Sequence, residues 1–482
     1  TTNPTFILHL LEIFAHGDLY DGLPSHLRQL AGLIIKNYVF KHLKSLHESV
    51  FQLLKTGILQ TLKDPLKDIR STGGILIGQI CDAYSFASWS DIIQPLLSYL
   101  QSTNDIQIDG SLRAIQRMCE DACEKLMMDD SIRPLEYLIP NLLNLFNSPE
   151  PTFRLRALES LNSLIFLVPS STSNSPLPNQ SPSGTTPCAL ITHMSSFLSG
   201  LSHLSSDQSS PVRRAVCQAI VLLASFQLAV LEPLLNDICT FMLQAILDQD
   251  ESVAMEACEY WWVLLEKPEG CEYLIHQHHN VSGNDSSFLA ILIQYLIARL
   301  PLTEAQIEYD RSEEEAEDAG DKEISFKPIH YRSRATASSE DDNDDDNNDN
   351  HDENDSGEIS SLWTVRKEAA RVLDVISCVL PTDIILPIAL PILQNNLSSK
   401  DPWTLEAGIL GLGTLSRGCS DDISQYLPNL LNFLLSCING TVNLNTGCPP
   451  ELRCVSAWVV GRYSYYWFEN SEDRTYEDMT TQ

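Results

Sequence analysis

SPVRRAVCQAIVLLA, residues 210–224, reads as one helix of a repeated unit. Ser-Pro opens it, Val212 is followed by Arg213, and Val212, Ala215, Val216, Ala219, Ile220 and Leu223 then fall at helical spacing. The same order of a Pro, Asp or Ser cluster, an apolar anchor, often an Arg, and an amphipathic run recurs along the chain. It returns in SHLRQLAGLIIKN at Leu27, PLKDIRSTGGILIGQI at Ile69, DIQIDGSLRAIQRMCE near Asp109 and PTFRLRALESLNSLI at Phe153. Further instances are ESVAMEACEYWWVLL at Val253, WTVRKEAARVLDVI at Val365, PWTLEAGILGLGTL at Leu405 and PELRCVSAWVVGRY at Leu452.

Successive anchors lie 42, 40, 44, 59, 41, 112, 40 and 47 residues apart, a period of about forty. The spacing of 59 contains the Pro/Ser-rich residues 169–188, which have no means of packing a core. The spacing of 112 is read as one further repeat near residues 288–301 plus an acidic segment. Between anchors lies a second helix, usually with a Pro near one end, as in SDIIQPLLSYL and ILPIALPILQNNL. No strand-like alternation persists, so the class is all-α. A lone hairpin cannot bury both its faces, and stacking neighbours into a solenoid solves this. A two-helix unit of this length with an apolar-Arg anchor is the HEAT pattern. An Asp before the second helix and an Arg after its anchor are expected to pair from one repeat to the next.

The net charge of −33 belongs largely to one segment, because residues 304–358 hold 21 Asp and Glu against 5 Lys and Arg. That polyanion disfavours nucleic acid and favours partners with a basic face. The 13 cysteines show no CxxC pair and read as reduced thiols of a cytosolic or nuclear protein. Sequons at Asn280, Asn284 and Asn439 are read as chance, and no membrane insertion is expected.

No enzyme is expected, because no residues can be assigned to catalysis, a metal or a cofactor. HQHHN at His276–Asn280 lacks zinc-like spacing and reads as a polar loop. GILGLG at Gly408–Gly413 follows no strand and reads as small residues for close helix packing. Of Trp261 and Trp262, one must face the core, leaving the other as a candidate contact residue.

LAGLIIKN at Leu30–Asn37 resembles the signature in the first repeats of the importin-beta-like nuclear transport receptors, the karyopherins. DQDESVAMEACEYWWVLLEKP, HYRSRAT before an acidic run, TVRKEAARVLDVI and ELRCVSAWVVGRY resemble the same family in order along the chain. The resemblance implies a superhelix of about twenty HEAT repeats, of which this chain holds roughly the first ten. It implies no enzymatic activity or cofactor, a monomer shuttling between cytoplasm and nucleus, and nucleoporins, GTP-bound Ran and nuclear-localisation-signal cargo, such as RNA-binding proteins, as partners.

Ran-linked acidic residues are then Glu313, Glu314, Glu315, Asp341, Asp342, Asp344, Asp345 and Asp346. The pocket for the Pro-Tyr end of a cargo signal maps onto Ala370, Asp374, Leu410, Val455 and Trp458. In this reading residues 1–168 form a Ran-binding arch, 169–188 an insertion and 189–303 further repeats. Residues 304–360 form an acidic loop within a repeat, 361–468 the start of a cargo arch, and 469–482 a polar tail. The chain starts at Thr1 without Met and turns polar at its end, so a truncated receptor is expected. The competing expectation is a HEAT scaffold or regulatory subunit of an enzyme complex.

Overall fold

The computed structural model describes residues 4–16, 23–42, 46–83, 89, 91–128, 133–167, 189–280, 287–303, 306–308, 364–445 and 447–464. Residues 169–188, the polar tail and all of the acidic segment except residues 306–308 lie outside these. Helix starts follow from local chemistry. The Asn104 side chain accepts from Ile106 N–H, Thr364 from Lys367 N–H, and Asp401 from Thr404 N–H, so each satisfies a backbone donor the helix leaves free. Pro134, Pro151 and Pro450 occupy first helical positions, where no N–H is needed.

The chain divides into two units, residues 1–264 and 265–482. The first contains α1 (Pro4–Ala15), α2 (Ser25–His42), α3 (Glu48–Thr61), α4 (Lys67–Ala83), α5 (Ile93–Leu100), α6 (Asp105–Asp121) and α7 (Cys123–Met128). It continues through α8 (Pro134–Asn144), α9 (Pro151–Asn162), α10 (Ala189–Thr192), α11 (Met194–Leu204), α12 (Ser210–Leu231) and α13 (Leu235–Ile246) to α14 (Glu251–Leu265). The anchor helices α2, α4, α6, α9 and α12 pack successively on one another, and α1, α3, α5, α8 and α11 each pack on the anchor helix that follows. Anchors Ile69, Phe153, Val212 and Val253 are buried, whereas Leu27 is 41% exposed.

The expected ladder is present. Arg28 pairs with Asp64, Arg70 Nε donates to Asp109 at 2.7 Å, and Arg213 makes two 2.8 Å bonds to Asp248. Each later arginine also ties its own turn, as when Arg70 Nη1 donates to the carbonyls of Asp64 and Pro65 at 2.8 and 2.9 Å. The aspartates cap in turn: Asp248 Oδ1 accepts from Asp250 N–H at 2.9 Å. Pairs this buried recover little net energy after desolvation, but an offset of one residue would strand a charge, so they fix register.

The second unit contains α15 (Pro268–Asn280), α16 (Phe288–Ala298), α17 (Val365–Val379), α18 (Thr382–Leu397), α19 (Pro402–Thr414), α20 (Ser416–Ile423), α21 (Leu427–Ile438) and α22 (Pro450–Arg462). Here two expectations are corrected. His276–Asn280 is the last turn of α15, not a loop, with Asn280 Nδ2 3.0 Å from His276 Nδ1 one turn back. The 288–301 region is not a separate repeat: α16 packs on α17 and α18 as the first helix of the hairpin that α17 completes. The acidic segment therefore falls, in sequence, between the two helices of that hairpin.

Ser210–Ile246 is long and apolar enough in composition to cross a membrane. Its backbone leaves helical geometry at Gln227 (φ −141°, ψ 43°), and its apolar residues, from Val212 to Leu243, are largely buried in the hairpin core. Among the described residues there is no strand, and the described cysteines are free thiols.

Candidate functional site

The five residues assigned to a cargo pocket lie on α17, α19 and α22, three consecutive anchor helices of the second unit. Helical spacing sorts their faces. In α17, Ala369, Val372, Leu373 and Ile376 are buried, while Ala370 and Asp374 are half-buried on the adjoining face. In α19, Leu405, Ile409 and Leu412 enter the core and Leu410 is half-buried. In α22, Leu452 and Val459 are buried, Val455 is half-buried, and Trp458 is 44% exposed.

Asp374 and Trp458 are joined through Arg462. Arg462 Nη2 donates to Asp374 Oδ1, its Nε donates to Ser416 Oγ at 2.9 Å, and its guanidinium carbon lies 5.3 Å from the centre of the Trp458 ring. A guanidinium over an indole face is attracted by the ring quadrupole. Arg417 Nη1 donates to Asp374 Oδ2 at 3.1 Å, and that hydrogen bond and charge hold the Arg417 guanidinium above its ordinary range. Asp374 is therefore bracketed by two cations.

Trp458 lies against α19 because Gly413 has no side chain. A Cβ there would sit 2.4 Å from Trp458 Cζ3 and 2.7 Å from Val459 Cγ2. Gly408 and Gly411 similarly face Asn396 and Leu393 of α18, so GILGLG is a close-packing surface, as its sequence suggests. Behind the site, buried Tyr463 donates its hydroxyl to the Leu412 carbonyl at 2.9 Å, and burial pushes that phenol up.

Arg417 and Arg462 escape sequence reasoning. Arg462 and Asp374 are 88 residues apart, and no local pattern links them. The acidic residues Glu313, Glu314, Glu315, Asp341, Asp342, Asp344, Asp345 and Asp346 lie outside the described residues. In the first unit, α2 presents Leu30 (50% exposed), Leu33 and Ile34, so part of LAGLIIKN forms an open apolar face. Trp261 is buried edge-on to Tyr260, and Trp262 is half-buried. Among the described residues, no three His, Cys, Asp or Glu side chains gather as metal ligands.

Residues 1–64 match the model of the importin-beta N-terminal domain. Together with the HEAT hairpins, this defines an importin-beta-like helical-repeat protein. A solved Kap95:Nup1 complex has the same fold, with a TM-score of 0.63 at 14% identity, covering 97% of this chain and 47% of that one. Mouse (Mus musculus) transportin-1 is 33% identical over 94% of this chain and 47% of its own length. Importin subunit beta-2 of Schizosaccharomyces pombe is 31% identical over 93% of this chain and 47% of its own. The chain belongs to the transportin-type karyopherins and spans about half the length of the curated relatives it matches.

Proposed function

We propose that this chain is the N-terminal half of a nuclear import receptor that shuttles between cytoplasm and nucleus. Its first repeats and acidic segment engage GTP-bound Ran, and the face of α17, α19 and α22 takes the Pro-Tyr end of a cargo signal. The observation that carries the cargo reading is the grouping of Ala370, Asp374, Leu410, Val455 and Trp458. All five stay partly open to solvent on one row of helices whose interleaved apolar residues are buried. An open indole flanked by aliphatic side chains suits a prolyl ring and an aromatic ring.

The Ran reading is supported by relatives. A solved Kap121p bound to RanGTP shares the fold at a TM-score of 0.61 and 15% identity. Open Leu30, Leu33 and Ile34 supply an apolar contact face, and the acidic segment supplies charge for a basic partner. Because that segment joins α16 to α17, a partner that holds it acts on the hairpin carrying Asp374, which couples two ligands through one element. Nucleoporins join the expected partners through the Kap95:Nup1 likeness.

The test has two arms. Immobilised Ran loaded with GTP should retain the chain and GDP-loaded Ran should not; equal retention would sink the Ran reading. A fluorescent Pro-Tyr-terminated peptide should bind the chain, and Trp458→Ala should weaken it about tenfold or more, as expected for a central aromatic contact. Unchanged binding by that variant removes the cargo site from α22.

A further inference from the structure

The two guanidinium groups that meet Asp374 each keep hydrogen-bond donors in hand. Arg462 directs its Nε to Ser416 Oγ and the Gly413 carbonyl, at 2.9 and 3.3 Å, and its Nη2 to Asp374 Oδ1. Arg417 directs only Nη1 to Asp374 Oδ2, at 3.1 Å, and its side chain is 63% exposed. Among the described residues no acceptor meets Nη1 of Arg462, or Nε and Nη2 of Arg417.

The acids on the neighbouring helices do not answer these donors. Glu368 of α17 pairs with Arg371 at 2.9 Å, Glu406 of α19 pairs with Arg366, and Asp421 and Asp422 of α20 are exposed. Two cations on one carboxylate leave one positive charge in excess, within a chain of net charge −33. The wider field repels anions, so this excess acts by direct contact and not by steering. A guanidinium with free N–H groups is matched by the flat, two-oxygen acceptor of a carboxylate.

Trp458 decides where such a carboxylate comes from. The guanidinium carbon of Arg462 lies 5.3 Å from the centre of the indole, which is itself 44% exposed. In any aromatic amino acid only Cα and Cβ separate the ring from the α-carboxyl, so a ligand ring stacked on Trp458 brings its own α-carboxyl to the guanidinium groups. Within a chain that carboxyl is a neutral amide carbonyl; at a C-terminus it is an anion. We propose, resting on the cargo reading above, that this face prefers a signal whose aromatic residue is the last of its chain, with the α-carboxylate held by Arg462 and Arg417.

The two arginines then differ in what they do. Arg462 is locked to Ser416, Gly413 and Asp374 and places the indole and the charge side by side. Arg417, tied by one hydrogen bond and open to solvent, is the specificity-determining residue, because its removal leaves Asp374 still paired with Arg462.

The test titrates the full chain into two fluorescent peptides, labelled at the N-terminus and ending in Pro-Tyr, that differ only in a free carboxylate or a carboxamide at the C-terminus. The free acid should bind about fivefold or more tighter, the worth of a charge-assisted hydrogen bond discounted for an exposed pair. Raised salt should narrow the gap, and Arg417→Gln should bring the free acid down to the amide. A third peptide, extended by one Asp and amidated, should bind like the amide; if it binds like the free acid, any nearby negative charge suffices and the terminal assignment is overturned. Equal binding of free acid and amide, with both weakened by Trp458→Ala, overturns this inference and leaves the cargo face standing, whereas no binding of either peptide sinks both. A preference that survives in folded Arg417→Gln removes Arg417 from the site, and should that variant fail to fold, the wild-type comparison of the three peptides decides.

Discussion

Arg154 grips Asp207 with two parallel hydrogen bonds, Nε to Oδ2 at 2.7 Å and Nη2 to Oδ1 at 2.8 Å, across 53 residues of chain. The corresponding separations are 36, 39 and 35 for Arg28–Asp64, Arg70–Asp109 and Arg213–Asp248. The longer span includes the Pro/Ser insertion, yet the pair forms like the others, so register is carried by the ladder and not by linker length. Asp207→Ala strands a largely buried guanidinium and should cost about 3–5 kcal/mol in urea unfolding of the first unit. Replacing both partners with apolar residues, Arg154→Met with Asp207→Leu, should recover most of that loss.

The ladder also sets the acid response. Burial pushes the carboxyls of Asp109 and Asp207 up, but their arginine hydrogen bonds outweigh it and hold them below the ordinary range; for Asp248 the Arg213 hydrogen bond is itself the leading cause. A depressed carboxylate contributes stability above its unfolded value and loses it as pH falls through the folded value. The first unit should therefore weaken as pH drops below the usual carboxylate range. Asp248→Asn, followed by urea titration across that range, should be less stable at neutral pH and show a shallower acid slope.

The ladder was legible because it obeys the forty-residue period: Arg213 follows its anchor, and Asp248 precedes the next anchor helix. All-α class, hairpin units and the packing role of Gly408, Gly411 and Gly413 follow from the same periodicity. What periodicity could not supply is contact between anchor helices two repeats apart. In the sequence Asp374 stands within an apolar helical run, and only the fold brings Arg417 and Arg462 to it. His276–Asn280 misled for the opposite reason. Its polar composition resembles a loop, but Leu274, buried one turn earlier, anchors the helix that carries it.

Two glycines of the second unit should respond in opposite ways. A Cβ on Gly418 would lie 1.6 Å from the Ser377 carbonyl oxygen, a backbone atom that cannot rotate away. Gly418→Ala should therefore destabilise the unit by at least 1–3 kcal/mol, roughly the cost of overpacking. Gly461 has nothing within 4 Å of its would-be Cβ and lies in the last turn of α22. Gly461→Ala should be neutral or gain up to about 1 kcal/mol from helix propensity. Chemical denaturation of both variants compares the two sites within one unit.

Trp458 offers the most selective perturbation of the candidate cargo face. Its ring occupies the space left by Gly413 and is held over by Arg462, which also holds Asp374. Gly413→Ala would press on the half-exposed Trp458 ring and, at 2.7 Å, on Cγ2 of buried Val459, so the ring must give way and the core must shift a little with it. The variant should lose stability by about 1–3 kcal/mol, the usual cost of overpacking, and its indole should move into water and lose the Arg462 contact, worth about 0.5–1 kcal/mol at an exposed site. Emission measured as the difference from Trp458→Phe should shift to longer wavelength. Arg462→Lys keeps the charge but loses the planar fork that bonds Asp374 and Ser416 while covering the ring. It should therefore reproduce the spectral shift without touching Gly413. If Gly413→Ala moves the emission and Arg462→Lys does not, the ring is set by α19 packing alone, and Arg462 serves only to neutralise Asp374.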